Sequence, residues 1–180
     1  MSYRETFSFI DNLTEHEYEQ CSFNNCTFTD ISGITFIECT FVQCNLSNAK
    51  MLNTGFQECS FTECKLVGCN FSKTKEFGFA TQFTGCNLSY VSFDQKKLFK
   101  SVFIHCNLTY SNFSQSDLSK TIMRDCDCRD AVFMESNLSG IDFTTNHHFS
   151  IDPTQNNVKK TRFASHALSG LLHGFGIIIE

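Results

Sequence analysis

From Phe83 to Phe143 a large apolar residue returns every five positions: Phe83, Leu88, Phe93, Leu98, Phe103, Leu108, Phe113, Leu118, Met123, Cys128, Phe133, Leu138 and Phe143. Two residues before each stands a small or modest side chain, such as Cys86, Val91, Ser101, Cys106 or Ala131, and Lys96 is the one clear misfit. A period of five fits neither a helix at 3.6 nor a strand alternating at 2. It marks a repeat, which has to be parsed before any local element is assigned. At a spacing of 20 the large residues match in kind: Phe83 with Phe103, Phe93 with Phe113 and Phe133, Leu98 with Leu118 and Leu138. Five-residue units with one inward residue each therefore close a four-sided coil, and like stacks on like about 4.8 Å apart.

The beat begins at Phe23 and Phe28, slips near residues 30–33, and resumes as Ile31, Phe36, Phe41, Leu46, Met51, Phe56, Phe61, Leu66 and Phe71. A second slip covers residues 73–82, where the next firm member, Phe83, comes two residues late. Gly33 and Gly78 suit a bulge or short loop at these points. Residues 1–20 lack a firm beat and read as an N-terminal cap, which shields the first edge of a coil stack from other chains. Residues 21–150 are the repeat domain. Asp152-Pro153 stops it, since proline lacks an N–H and restrains the residue before it. In residues 151–180, Ala167, Leu168, Leu171, Leu172 and Phe175 fall at α-helical spacing, Gly174 and Gly176 end the helix, and Ile177–Glu180 reads as a short strand.

The 21 Phe residues need a dedicated structural slot, which the repeat supplies. Ten of the eleven cysteines stand two residues before a large apolar residue, and Cys128 takes the large slot itself. A free thiol is a small buried hydrophobe, so they are read as reduced core residues, with no CxxC spacing for zinc. No cofactor or metal site is expected, and no catalytic constellation: nucleotide loops of the GxxxxGK[ST] or GxGxxG kind and the GxSxG elbow are missing. His147-His148 reads as a solvated turn, and His105 as an outward residue. Met1–Ile10 lacks a basic start with an apolar run, and no stretch reaches the ~20 apolar residues of a membrane span. A cytoplasmic location is expected.

Net charge is −5, which argues against direct nucleic-acid binding. The charge is uneven. Residues 1–49 carry Arg4 against Glu5, Asp11, Glu15, Glu17, Glu19, Asp30 and Glu38, while the rest of the chain is nearly balanced. The acidic end serves either solubility or docking; as a docking end, its candidates are Glu15, Glu17, Glu19, Asp30 and Glu38. Lys97 and Asp117, 20 apart, are expected to pair across coils. Lys96, Lys97, Lys100 and Lys120 would make a non-acidic patch.

The units Cys44-Asn-Leu-Ser-Asn48, Cys69-Asn-Phe-Ser-Lys73, Cys86-Asn-Leu-Ser-Tyr90, Cys106-Asn-Leu-Thr-Tyr110 and Ser136-Asn-Leu-Ser-Gly140 resemble the A(D/N)Lxx unit of pentapeptide-repeat proteins. The resemblance implies an all-β fold, a right-handed quadrilateral parallel β-helix, here with a C-terminal α-helical cap. Gly170-Leu-Leu-His-Gly-Phe-Gly-Ile-Ile-Ile-Glu180 is similar to the closing segment of the quinolone-resistance (Qnr-type) members. That similarity implies a homodimer through Leu168, Leu171, Leu172, Phe175, Ile177 and Ile179, the alternative being a monomeric cap. It also implies a non-enzymatic DNA mimic that binds DNA gyrase or topoisomerase IV and protects it from quinolones. The other reading is a scaffold or interaction module with an unidentified protein partner. A continuous acidic stripe favours the mimic and a mixed face the module.

Overall fold

The computed structural model describes residues 1–178. Its strands are short because each covers only one side of a coil: β1 (Ser2–Tyr3), β2 (Thr6–Ser8), β3 (Glu17–Glu19), β4 (Ser22–Asn24), β5 (Thr35–Ile37), β6 (Thr40–Val42), β7 (Gly55–Gln57), β8 (Cys59–Thr62), β9 (Thr81–Thr84), β10 (Val102–Ile104) and β11 (Ile122–Arg124). Strands β2, β4, β6, β8, β9, β10 and β11 stack in parallel as one sheet. Strands β1, β3, β5 and β7 form a second, adjoining sheet. Further along, single parallel bridges such as Lys97↔Asp117 and Asn137↔Asn157 continue the stack.

The core follows the five-residue beat. Phe23, Phe41, Phe61, Phe83 and Phe103 are fully buried and in register, with rings stacked 4.6–5.2 Å apart. Rings on adjoining sides meet edge to face, as Phe23 and Phe36 do at 5.8 Å. Both arrangements suit the aromatic quadrupole.

The corners were hidden in the sequence. Twenty-one non-glycine residues among those described have positive φ, including Gln20, Glu38, Glu58, Gln95, His105 and Glu135. This left-handed conformation is uncommon for side chains other than glycine. Here it turns the chain between sides, and coil-to-coil hydrogen bonds hold it. Gln20 N–H donates to Ile37 O at 2.8 Å, and Glu38 N–H to Gln57 O at 2.8 Å.

Both slips in the beat are changes of coil length. Tyr18↔Phe36 and Phe23↔Phe41 are 18 apart, Phe36↔Phe56 are 20 apart, and Phe61↔Phe83 are 22 apart. The short coil loses two residues between Thr27 and Asp30, whose partners are Asn45 and Lys50. The long one gains two in a bulge at residues 75–80, which throws Phe77 out to 83% exposure and tucks Phe79 in beside Phe71.

Two expectations need correction. Residues 1–20 are not merely a cap before the coil: Ser2↔Tyr18 and Phe7↔Phe23 make them a 16-residue first coil. The shorter coil had no five-residue beat to reveal it. The C-terminal cap is helical but wound as 3-10 turns, Ser165–Leu171 and His173–Phe175, not as an α-helix. Two serines and Gly170 in seven residues are poor α-helix formers. Gly170 also presses against Phe149, where an added Cβ would clash with the Phe149 carbonyl oxygen. The left-handed Gly176 closes the second turn. Ile177 and Ile178 carry no strand, and Ile179 and Glu180 lie outside the described residues.

All eleven cysteines are buried and unpaired. They do more than fill space. Cys39 Sγ–H lies 3.2 Å from Tyr18 O of the preceding coil, and Cys44 Sγ–H 3.3 Å from Phe23 O. The register places Cys26, Cys44, Cys64, Cys86, Cys106 and Cys126 in one column. Their thiols reach carbonyls that an alanine in the same slot would leave to backbone donors alone.

Candidate protein-interaction face

One side of the rod runs through β1, β3, β5, β7, the bulge at residues 75–80, and the bridges at Lys97, Asp117, Asn137 and Asn157. Its outward residues change sign half-way. The first coil has Arg4 at its corner, and the next three present Glu17, Glu19, Glu38 and Glu58. After the bulge come Lys97, Lys100, Lys120, Lys159 and Lys160, with Asp117 the acid among them. Spacing along the chain sets the pattern, since residues 20 apart share a corner in regular coils.

The bulge sits at the change of sign, and Lys96 anchors it. The sequence placed Lys96 among outward lysines, but its side chain is fully buried. Its ammonium donates to Thr74 O at 2.9 Å and Lys75 O at 3.1 Å and lies 3.2 Å from Glu76 Oε1. It also stands 4.4 Å above the Phe79 ring. The misfit in the small-residue slot is thus the cation that satisfies the bulge's inward carbonyls. Burial lowers the Lys96 pKa below the ordinary lysine value, against the opposing pull of Glu76. Lys96→Met keeps the bulk but leaves both carbonyls without this donor. It should lower stability by about 1–3 kcal/mol. Urea unfolding measures this, and an unchanged midpoint would show that the bulge holds without the cation.

Beside the bulge lies an open concavity of about 360 Å³, with Glu58 and Glu76 on one flank, Lys97 and Lys100 on the other, and Phe79 and Phe99 between. Phe77 and Phe99 are the exposed aromatic residues of this region, and Lys120 Nζ lies 4.3 Å over the Phe99 ring. Lys97 and Asp117 are register partners as expected, yet they form no ion pair. The Asp117 carboxylate instead accepts from Asn137 Nδ2 at 3.0 Å and Ser119 N at 3.0 Å.

The structure brings only part of the acidic set together. Glu17, Glu19 and Glu38 share the face, joined by Glu58. Gln20 Nε2 donates to Glu38 Oε2 at 2.8 Å and steadies this corner. Glu15 precedes β3 and pairs with the N-terminal ammonium, which lowers its pKa. Asp30 sits on another side, in register with Lys50, and accepts from Ser32 N; that bond lowers its pKa. Glu58 was legible at spacing 20 from Glu38. Phe77 and Phe99 carried no periodic signal.

The cap residues divide in two. Leu171 is half-buried and packs with Ala167 against the last coil, and Leu172 is also half-buried, whereas Leu168, Phe175, Ile177 and Ile178 are exposed. Ile179 lies outside the described residues. Between the cap and the last coils is a solvent-open concavity of about 530 Å³, lined by Arg129, Asp130, His148, Ser150 and His173 among others. His148 Nδ1 lies 2.9 Å from Asp127 Oδ1; His148 is exposed and Asp127 half-buried. Among the described residues no cluster of three or more His, Cys, Asp or Glu is arranged to hold a metal, and no helix is long and apolar enough to cross a membrane.

Residues 79–148 match the pentapeptide repeat region, and the register described above extends the same coil to both sides of that stretch. QnrB1, a plasmid-mediated fluoroquinolone resistance protein, in a trypsin-treated form, superposes on this chain with a TM-score of 0.68 at 18% identity, covering 100% of both chains. Full-length QnrB1 gives 0.46 at 20% identity, over 98% of this chain and 100% of that one. HetL, a pentapeptide repeat protein involved in heterocyst differentiation regulation in the cyanobacterium Nostoc sp., gives 0.42 at 15%, over 99% and 92%. At 18% identity the likeness to the trypsin-treated QnrB1 establishes the fold alone. No curated protein matches the sequence.

Proposed function

We propose that this chain is a non-enzymatic pentapeptide-repeat rod that binds another protein through side chains held in fixed ladders on its outer faces. The observation that carries this reading is the row Glu17, Glu19, Glu38 and Glu58, set at coil spacing on one rigid side. Such a row gives a partner's basic surface a preorganised counterpart, which favours specificity and encounter rate. The closed, convex coil keeps its aromatic core inside, and small-molecule sites favour deep apolar clefts.

A second reading is a DNA mimic that binds DNA gyrase or topoisomerase IV and protects it from quinolones. The acidic row and the full-length likeness to QnrB1 support it. The row, however, spans only the N-terminal half of its side before the lysines begin, so a mimic would be limited to that half. On the test of a continuous stripe against a mixed face, the interaction module is the better-supported reading.

The exposed Leu168, Phe175, Ile177 and Ile178 form an apolar end that supports a homodimer through the cap. Light scattering should then give twice the 20.5 kDa chain mass, and a single-chain mass would remove that dimer.

Capture from a bacterial lysate on the immobilised protein, probed for gyrase and topoisomerase IV, tests the partner. Glu17→Gln, Glu38→Gln and Glu58→Gln together should reduce capture at least about tenfold, since each exposed charge pair lost weakens binding modestly. Relief of quinolone inhibition in a supercoiling assay would establish the mimic. No relief at tenfold excess over gyrase leaves the module, and capture indifferent to the triple substitution overturns the acidic row as the docking surface.

A further inference from the structure

The same side that carries the acidic row carries its complement. After Arg4 at the β1 corner it carries Glu17, Glu19, Glu38 and Glu58, ends with Lys97, Lys100, Lys120, Lys159 and Lys160, and has exposed Phe77 and Phe99 at the change of sign. From β3 to the Asn157 bridge it spans seven coil steps, about 34 Å. We propose that this side is a self-complementary surface that pairs with a second copy of the chain, the rods side by side and antiparallel. The proposal rests on reading this side as a protein-binding surface, and it is separate from an apolar dimer through the cap.

The symmetry argument is simple. A two-fold axis lying in the interface and perpendicular to the rod reverses the rod direction but keeps each edge of the face opposite its own edge. Placed at the bulge, that axis sets the Glu58 corner opposite the Lys100 corner of a second copy, and the Glu38 corner opposite the Lys120 corner. An isologous interface needs this property, one patch that complements itself. Phe77 and Phe99 lie near the axis, where a pairing surface wants its aromatic contacts, and the charges lie toward the rim. Parallel rods would put glutamates against glutamates and lysines against lysines, so the charge order selects the antiparallel arrangement. Exposed charges act over about a Debye length, ~8 Å at physiological salt. The pairing is therefore weak and sensitive to ionic strength.

The test is a charge exchange. One variant, Lys97→Glu with Lys100→Glu and Lys120→Glu, turns the two coils after the bulge acidic. The other, Glu19→Lys with Glu38→Lys and Glu58→Lys, turns the coils before the bulge basic. Sedimentation velocity is run on the full chain at low and at high salt. The wild type should show an association that weakens by about tenfold or more as salt rises. Each variant alone should lose that salt-sensitive association, and an equimolar mixture should regain it as a heterodimer. Association through the cap would be unchanged by either variant, so its presence or absence does not obscure the result. A wild type with no salt-sensitive association, or variants that do not recombine on mixing, would overturn the proposal, even if a different protein still bound the acidic row. All six positions are on the outer surface, so cooperative melting should be retained. Should a triple variant melt early, Glu58→Lys and Lys100→Glu singly run the same exchange.

Discussion

Replacing Phe83 with alanine should destabilise the rod by about 3–5 kcal/mol, the range for deleting a buried Phe side chain. The ring is fully buried. It stacks on Phe61 at 5.1 Å below and Phe103 at 5.2 Å above, and meets Phe71 edge-on at 5.7 Å. The coils on either side are held in register by β8, β9 and β10, so the wall has little freedom to collapse into the space. That puts the cost toward the upper part of the range. Phe77→Ala, at a residue thrown outward by the bulge, should change stability by no more than about 0.5 kcal/mol. Urea unfolding of both variants makes the comparison. Equal midpoints would mean that the ladder does not carry the fold.

Alkaline pH should unfold the protein through its cysteines. Burial pushes the Cys39 thiol up to about 11 and the Cys69 thiol up to about 12, from an ordinary 9.0. Cys128, which fills a large core slot, is raised well above that value for the same reason. The unfolded chain releases these protons near pH 9 while the folded chain keeps them. The native state then binds more protons, so stability falls as pH rises above 9 and continues to fall until the folded value is reached. At about 1.4 kcal/mol per unit, Cys39 alone contributes a loss of about 3 kcal/mol between pH 9 and 11. Tyrosine and lysine titrate in the same range, so the comparison is with Cys39→Ser under reducing conditions. The wild type should lose stability more steeply than the serine variant across this window; parallel curves would refute the buried-thiol account.

The inward half of every unit was written in the sequence. Phe83, Leu88, Phe93 and Leu98 announced four sides, and spacing 20 announced which residues stack. Departures from the regular period were legible as positions but not as shapes. Phe71 to Phe83 showed two extra residues, while the fold of the bulge depended on Lys96 reaching back 22 residues to the Thr74 carbonyl, a contact that no periodicity encodes. The first coil was missed because at 16 residues it breaks the beat that identified the others. The C-terminal turns were read as an α-helix because Leu168, Leu171 and Leu172 satisfy helical spacing. The close approach of Gly170 to Phe149, a tertiary contact, accompanies the tighter winding. The candidate face was legible in pieces, as a Glu38–Glu58 spacing and a Lys100–Lys120 spacing. The register that places the two pairs on one side came only with the coil lengths of 18, 20 and 22.

That register is the central claim, because it fixes both the core and the order of charges along the outer face. Spin labels on cysteines introduced at Ser22 and Ile122 test it directly. The two positions are 100 residues apart in sequence and five steps apart in one sheet, through β6, β8, β9 and β10. The native thiols are buried and should stay unlabelled, and dilution with unlabelled protein removes distances between copies. Pulsed electron–electron resonance should give one narrow distance of about 24 Å between backbone positions, widened only by the label linkers. A broad distribution, or one centred well beyond 35 Å, would contradict the stack.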